Sequence, residues 1–151
     1  METLKQKIKS DMNSALKEGD VISRSVLGMV QAAIINKELA KGKELAEEEV
    51  VEIIFAEVKK RKESILAFEK GSRQDLADKE KEELAILKKY LPELMSEEEL
   101  KEIIKRALKK TGATTIKEMG KVLAEIMPKV KGKSDPGQVS KIVKESLEQK
   151  N

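Results

Sequence analysis

Apolar residues recur at every third or fourth position along almost the whole chain, which is the spacing of one buried face of an α-helix. No stretch alternates apolar and polar residues with the two-residue period of a β-strand. The 151 residues include only three aromatics and three prolines and are 39% charged, a composition rich in helix-forming residues. The sequence therefore predicts an all-α protein.

The first 92 residues predict four helices, each with an apolar stripe and a turn residue at its end. The stripes begin at Leu4, Ile22, Val50 and Leu76, and the expected ends are Gly19, Gly42, Gly71 and Pro92. We therefore expect an N-terminal helical domain, a bundle of about four helices, over residues 1–92.

The rest of the chain predicts three more helices. Their starts are indicated by the capping pairs Ser96 with Glu99 and Thr115 with Glu118, and by Asp135 followed by Pro136. The second of these helices is expected to stop near Pro128. Residues 96–151 therefore predict a small C-terminal three-helix domain.

Two charged residues interrupt apolar stripes on the third and fourth helices. Arg61 and Glu80 each lie about nine residues from the turn at Gly71, so we expect a partly buried ion pair between the helices. One interpretation is a functional polar site, extended by Arg24, Arg73 and Asp75. The favoured interpretation is a salt bridge that fixes the register of the two helices.

The segment from Lys105 to Lys133 holds nine basic residues against two acidic ones, a net charge of +7. Such a segment suits an anionic partner, although a solvated lysine-rich surface explains the charge equally well. Near its end, lysines alternate in a glycine-containing loop that leads into the Asp135–Pro136 helix start, where we expect exposed amides to favour phosphate. The candidate RNA-binding residues are Lys105, Lys109, Lys121, Lys129, Lys131 and Lys133.

Catalytic chemistry is thinly represented. Without cysteine or histidine, no Ser-His or Cys-His nucleophile can form and the usual zinc ligand sets are missing. A Ser-Lys arrangement or a carboxylate pair is compatible with the composition, but no spacing indicates either. We expect no catalytic residues, cofactor or metal site. A charged amphipathic N-terminus and the lack of a long apolar run predict a soluble, cytoplasmic protein without a membrane partner.

Several short motifs together resemble the YqeY-like family, over nearly the whole chain. They are Glu63-Ser64-Ile65, Phe68, Gly71, Arg73, Asp75-Leu76-Ala77, Lys79-Glu80, Tyr90-Leu91-Pro92, Ser96-Glu97, Gly112-Ala113, Met119-Gly120-Lys121-Val122 and Gly132-Lys133. The sequence departs from the family pattern at Gly28, where an arginine is usual. Ser134-Asp135-Pro136-Gly137 is closer to the amidotransferase tail described next than to many stand-alone members.

The resemblance implies a relation to the tail of the B subunit of the glutamine-dependent aminoacyl-tRNA amidotransferase. That tail is helical, has a larger N-terminal bundle and a small three-helix domain, and contacts tRNA. The family is also associated with carbon–nitrogen ligation that uses glutamine as the amide donor. This chain has no visible means for that chemistry, so an enzyme acting alone is the least favoured of three hypotheses.

The first hypothesis is a non-catalytic accessory module that binds tRNA, another structured RNA or a tRNA-linked enzyme. The second is a protein–protein adaptor that docks on a partner enzyme such as an amidotransferase or a synthetase. Steep salt dependence would distinguish the first from the second.

Overall fold

A computed structural model describes residues 1–149, in which seven α-helices and one 3-10 turn are present and no strand occurs. The predicted all-α class is confirmed. The chain forms two compact units, one over residues 1–91 and one that begins at Pro92.

The N-terminal unit contains four helices. They are α1 (Leu4–Glu18), α2 (Val21–Lys41), α3 (Glu47–Lys70) and α4 (Gln74–Lys88). Thr3 caps α1 in a capping box with Gln6, and Asp20 caps α2 by accepting from the Ser23 N–H at 3.1 Å. Gly19 and Gly42 end α1 and α2 in the left-handed conformation, where a side chain would be strained. Gly19 and Gly42 therefore end their helices, as the sequence predicts.

The core of the N-terminal unit lies between these helices. It is built from Ile8, Val26, Leu27, Val30, Ile34, Val50, Ile53, Ile54, Val58, Leu87 and Tyr90. The Tyr90 hydroxyl donates to Asp11 Oδ2 at 2.7 Å and so ties the end of α4 to α1. Burial, reinforced by that carboxylate, raises the pKa of Tyr90, so the phenol stays protonated.

The turn between α3 and α4 differs from the expectation in detail. Gly71 follows α3 with an ordinary φ of −84°, whereas Ser72 takes the left-handed conformation at φ 57°. The Arg73 N–H donates to the Phe68 carbonyl at 2.8 Å and closes the turn. The helix therefore stops where predicted, but the strained residue is the serine rather than the glycine.

The C-terminal unit contains α5 (Glu97–Thr111), a 3-10 turn (Ile116–Glu118), α6 (Met119–Val130) and α7 (Pro136–Gln149). Its core lies between the three α-helices and consists of Leu100, Ile104, Ala107, Leu108, Ala113, Val122, Ile126, Val130, Val139, Ile142, Val143 and Leu147. Ser96 Oγ accepts from the Glu99 N–H at 3.1 Å, as a helix cap should.

Two predicted boundaries in this unit are wrong. Thr115 makes no side-chain cap; instead Glu118 Oε2 accepts from the Thr114 N–H at 2.7 Å, and the 3-10 turn precedes α6. Pro128 lies inside α6, which continues to Val130. A proline removes only one backbone donor, and the burial of Val122, Ile126 and Val130 stabilises the helix beyond Pro128.

Candidate nucleic-acid interface

Three lysines lie in a row along one face of α5. Lys101, Lys105 and Lys109 are four residues apart, so successive side chains leave the helix about 6 Å apart along its axis. Like charges at this spacing weaken a helix by a few tenths of a kcal/mol per pair, roughly 0.2–0.5. Repulsion within the row therefore destabilises α5, and a bound polyanion would remove that repulsion.

The lysine row borders a groove of about 680 Å³ between α5 and α7. Its floor is apolar and formed by the buried side chains of Ile104, Leu108 and Ile142. The wall contributed by α7 carries polar groups, namely Glu145, Ser146 and Gln149. One wall is thus uniformly basic, while the other offers hydrogen-bonding groups and a single negative charge.

Two members of the row have no ionic partner among the described residues. Lys101 contacts Glu97 Oε1 at 3.3 Å, an exposed pair that contributes little. Lys105 and Lys109 form no ion pair with any residue in the described range 1–149, and both are exposed. Their ammonium groups are available to an external anion.

The two lysines beside Glu125 are in a different situation. Lys110 Nζ lies 2.7 Å from Glu125 Oε1, and Lys129 Nζ lies 3.7 Å from the same oxygen. The Lys110 hydrogen bond holds the pKa of the Glu125 carboxyl below its ordinary value. The charge of Lys129, a predicted RNA contact, is therefore partly compensated inside the protein.

The loop after α6 is held by backbone hydrogen bonds. Gly132 takes the left-handed conformation at φ 74°, and the N–H groups of Lys133 and Ser134 both donate to the Val130 carbonyl. Lys131 is half-buried. Lys133 lines a depression of about 300 Å³ together with the two acids Glu93 and Glu99. These lysines therefore face a less favourable setting for phosphate than the α5 row.

The start of α7 does not offer the exposed amides that we expected from the sequence. Asp135 Oδ1 accepts from the Gly137 N–H at 2.9 Å, and Pro136 has no N–H to donate. The chain's own carboxylate thus occupies the positive end of the helix. This cap weakens the physical argument for phosphate at this helix start, and phosphate binding there stays a prediction.

Of the six predicted lysines, Lys105 and Lys109 line the groove between α5 and α7, and Lys101 joins them although it was missed. Its signal was the four-residue spacing of lysines within a single helix. Lys121 is exposed in the first turn of α6 and forms no ion pair within the described part of the chain.

Arg61 is buried between α3 and α4 and is held by two carboxylates. Its Nη1 lies 3.3 Å from Glu57 Oε2, and its Nε lies 3.4 Å from Glu83 Oε2. Nη2 donates to the Met29 Sδ atom at 3.2 Å, while Nε has no acceptor in hydrogen-bond geometry. Arg61 and Glu83 are each only 7% exposed. This is a structural ion cluster that links two helices.

The predicted pairing of Arg61 with Glu80 is wrong by one helical turn. Arg61 lies nine residues before the end of α3 at Lys70, and Glu83 lies nine residues after the start of α4 at Gln74. The expectation counted from Gly71 and so ignored the non-helical turn residues. Residues on two neighbouring helices lie at the same height when they are equally many residues from the helix ends that the turn connects.

Glu80 lies beside the cluster without joining its ion pairs. Burial, together with the charge of Glu83 and a hydrogen bond to it, raises the pKa of Glu80, while Arg61 opposes the rise. The proposed extension of the network is also absent: Arg73 pairs with Asp75 at 3.2 Å on the surface. Arg24 lines a groove on α2 and forms no ion pair with residues 1–149.

Neither a metal site nor a spanning helix is found in the described residues. No group of three or more acidic side chains among them is placed to hold a metal ion. No helix within residues 1–149 is both long and apolar enough to cross a bilayer.

Comparison with known proteins gives relatives among fungi. The chain is 35% identical to altered inheritance of mitochondria protein 41, mitochondrial, from Candida glabrata, over 62% of this chain and 54% of that protein. It is 34% identical to the protein of the same name from Saccharomyces cerevisiae, over 62% and 51%. A relative of that name from Pyrenophora tritici-repentis is 26% identical over 92% and 78%. The chain thus spans about half the length of the first two relatives.

These relatives correct the expectation of a cytoplasmic location. Their names place them in mitochondria, so the composition and N-terminus of such a chain do not indicate the cytoplasm. The family model described as Yqey-like protein matches residues 5–147, which is nearly the whole chain. The protein therefore belongs to the YqeY-like family.

Proposed function

We propose that this chain is a non-catalytic module that binds tRNA or another structured RNA through phosphate contacts made by its C-terminal unit. The observation that carries the proposal is the α5 row, in which Lys105 and Lys109 have no ionic partner within residues 1–149 and lie beside an open groove. Lysines one helical turn apart match the regular succession of phosphates along a nucleic-acid strand.

The distribution of aromatic residues supports a backbone contact rather than base reading. Single-stranded nucleic acids are usually held by stacking of bases on aromatic side chains. All three aromatics of the chain, Phe55, Phe68 and Tyr90, precede the C-terminal unit. A surface with lysines and without aromatics favours a folded RNA recognised by shape and charge.

The residues that the chain lacks support an accessory role. Amide transfer from glutamine needs an activated nucleophile, and the 151 residues contain no cysteine and no histidine. We propose that any carbon–nitrogen ligation associated with the family is carried out by a partner enzyme, such as an amidotransferase or a synthetase, while this chain contacts the RNA.

The proposal is tested with the double variant Lys105→Gln/Lys109→Gln of the full chain, with tRNA binding measured by filter retention at about 0.1 M salt. Loss of two phosphate contacts should weaken binding roughly tenfold. The matched control is Lys59→Gln/Lys62→Gln, which removes two exposed lysines from α3. Equal affinity of both variants and the parent protein would contradict the proposal and favour the protein-adaptor hypothesis.

A further inference from the structure

Helix α2 has a second apolar face, directed away from the core of its unit. Its opposite side packs into that core through Val26, Leu27, Val30 and Ile34. The outer residues follow one another at intervals of four and three positions: Val21, Ser25, Gly28, Ala32, Ile35 and Leu39. We call this set the α2 seam.

The α2 seam is open to solvent although most of it is apolar. Val21 is 75% exposed, Ile35 46% and Leu39 76%. The part from Val21 to Ala32 borders a shallow groove of about 440 Å³. A helix that is apolar on both sides is normally buried on both. The large apolar side chains of the outer side therefore have no packing partner within residues 1–91.

The spacing of the seam indicates what kind of partner fits. Alternating intervals of four and three give an average repeat of 3.5 residues, the repeat by which one helix packs lengthwise along another. The seam runs over the 19 residues from Val21 to Leu39, a rise of about 27 Å. A helix of similar length, rather than a loop or a small ligand, matches this surface.

We propose that the partner is α2 of a second copy of this chain, packed antiparallel about a two-fold axis near residue 30. In that arrangement Val21 meets Leu39 of the second copy, Ser25 meets Ile35, and Gly28 meets Ala32. The two outer layers hold the large side chains, and each Ile35 fills the space beside a small serine. Gly28 and Ala32 at the centre allow the helix axes to approach closely.

A parallel pairing fits less well. It would stack Val21 on Val21 at one end, leave small residues facing small residues at Ser25, Gly28 and Ala32, and bring Ile35 and Leu39 together at the other end. The helices would diverge or leave voids along half of the seam, and voids forfeit contact energy. The order of residue sizes along the seam therefore selects the antiparallel orientation.

The charges beside the seam agree with the antiparallel pairing. Residues that flank such a seam face each other in pairs, and Arg24 would lie opposite Glu38 of the second copy, twice by symmetry. Arg24 forms no ion pair within residues 1–149 of its own chain. Glu38 already contacts Lys5 at 2.8 Å, so Arg24 would add a second cation to that carboxylate.

The expected dimer is a weak one. A single pair of helices of this length buries an area at the low end of specific interfaces, below about 1,200 Å² in total. Such contacts associate in the micromolar range. The chain should therefore show a monomer–dimer equilibrium that depends on protein concentration.

Sedimentation equilibrium of the full chain between about 1 and 100 µM tests the proposal. The parent protein should dimerise, and Ala32→Glu should stay monomeric because it places a carboxylate in a central layer. Ala56→Glu, an exposed alanine of α3, should dimerise like the parent. Circular dichroism confirms that both variants keep their helices. A parent protein that remains monomeric at 100 µM, or equal dimerisation of both variants, would overturn the proposal.

Orientation is tested by disulfide cross-linking, since the chain has no cysteine of its own. Val21→Cys and Leu39→Cys are prepared separately and oxidised with glutathione disulfide, alone and as a mixture. The antiparallel pairing predicts covalent dimers in the mixture and few in either variant alone. Efficient self-linking of each variant would demonstrate the parallel pairing and overturn the proposed one.

Discussion

Arg61 shows how a single buried charge organises the N-terminal unit. The guanidinium lies between Glu57 on its own helix and Glu83 on the next, so it fixes how far α4 is shifted along α3. Burying these ions costs solvation energy that their mutual contact must offset. We therefore expect the cluster to fix the register of the two helices more than to add stability.

Removal of one partner should show which carboxylate holds Arg61. Glu83→Ala leaves the buried guanidinium with a single carboxylate on α3, and we expect the free energy of unfolding to fall by about 3 kcal/mol. Glu80→Ala should cost clearly less, because Glu80 forms no ion pair with Arg61. Urea unfolding followed by circular dichroism measures both. Equal losses would show that Glu80 shares the role of Glu83.

The raised pKa of Glu80 predicts a pH dependence of stability. Because the folded state binds the Glu80 proton more tightly than the unfolded state, the folded protein loses stability as pH rises above the ordinary glutamate value of 4.5. Glu80→Gln abolishes this loss. The variant should therefore be stabilised relative to the parent at pH 7 and close to it at pH 4, as measured by urea unfolding at each pH. An advantage that is larger at pH 4 would contradict this account.

At the scale of elements, the turn between α3 and α4 divides two roles that the sequence assigns to one glycine. Gly71 ends the helix, and Ser72 takes the left-handed backbone conformation. Gly71 has an ordinary backbone conformation, and an added Cβ would lie 3.4 Å from the Ala67 carbonyl oxygen, within normal contact. Gly19 has φ 74°. We expect Gly71→Ala to change stability little and Gly19→Ala to cost about 1 kcal/mol. Thermal unfolding of the two variants provides the comparison, and a larger loss at Gly71 would contradict it.

The lysines of the C-terminal unit should differ in their effect on RNA binding. Lys129 lies near Glu125, Lys133 lines a depression with Glu93 and Glu99, and Lys131 is half-buried. Lys105 and Lys109, in contrast, have no carboxylate partner among residues 1–149.

Changing Lys129, Lys131 and Lys133 together to glutamine should therefore weaken tRNA binding less than the double change in the α5 row. Filter retention at one salt concentration ranks the two variants. The reverse order would place the main contact on the loop after α6.

Helix content and most helix ends were predictable because they depend on local signals. Gly19, Asp20 and Ser96 act within one turn of their own position, and each acts as its residue type predicts. The predicted partner of Arg61 was wrong by one helical turn because the pairing depends on how many non-helical residues connect the two helices. The cap at Asp135 was predicted correctly, but the expectation of phosphate at the same helix start overlooked that a capping aspartate competes with an external anion.

The candidate binding surface was only partly predictable. The net charge of +7 indicated the unit that carries the candidate surface, since charge can be counted without a fold. Which lysines are free depends on distances to acids such as Glu125, which lies on another helix from Lys110. The α2 seam was missed because the apolar residues on the inner side of α2 already explained how that helix packs into the core.

At the scale of the whole molecule, the two features of interest lie in different units. The lysine row belongs to the C-terminal unit, and the α2 seam belongs to the N-terminal unit. Substitutions in one unit can therefore be made without touching the core of the other. Ala32→Glu should leave the tertiary structure of the C-terminal unit unchanged.

The purified chain should not release ammonia from glutamine. It has no cysteine or histidine to activate for attack on the amide, and no spacing in the sequence indicates a Ser-Lys nucleophile. Glutamine is incubated with the purified protein and ammonia is measured by a coupled assay. Ammonia release that a point substitution in this chain abolishes would contradict the non-catalytic role.

The salt dependence of tRNA affinity tests the central claim most directly. If about three phosphates are neutralised, the logarithm of the association constant should fall with the logarithm of salt concentration at a slope of roughly −2 to −3. Lys105→Gln/Lys109→Gln should flatten that slope by roughly 1.5, whereas Lys59→Gln/Lys62→Gln should leave it unchanged. A parent slope near zero, or one that the α5 variant does not alter, would contradict phosphate binding by the lysine row.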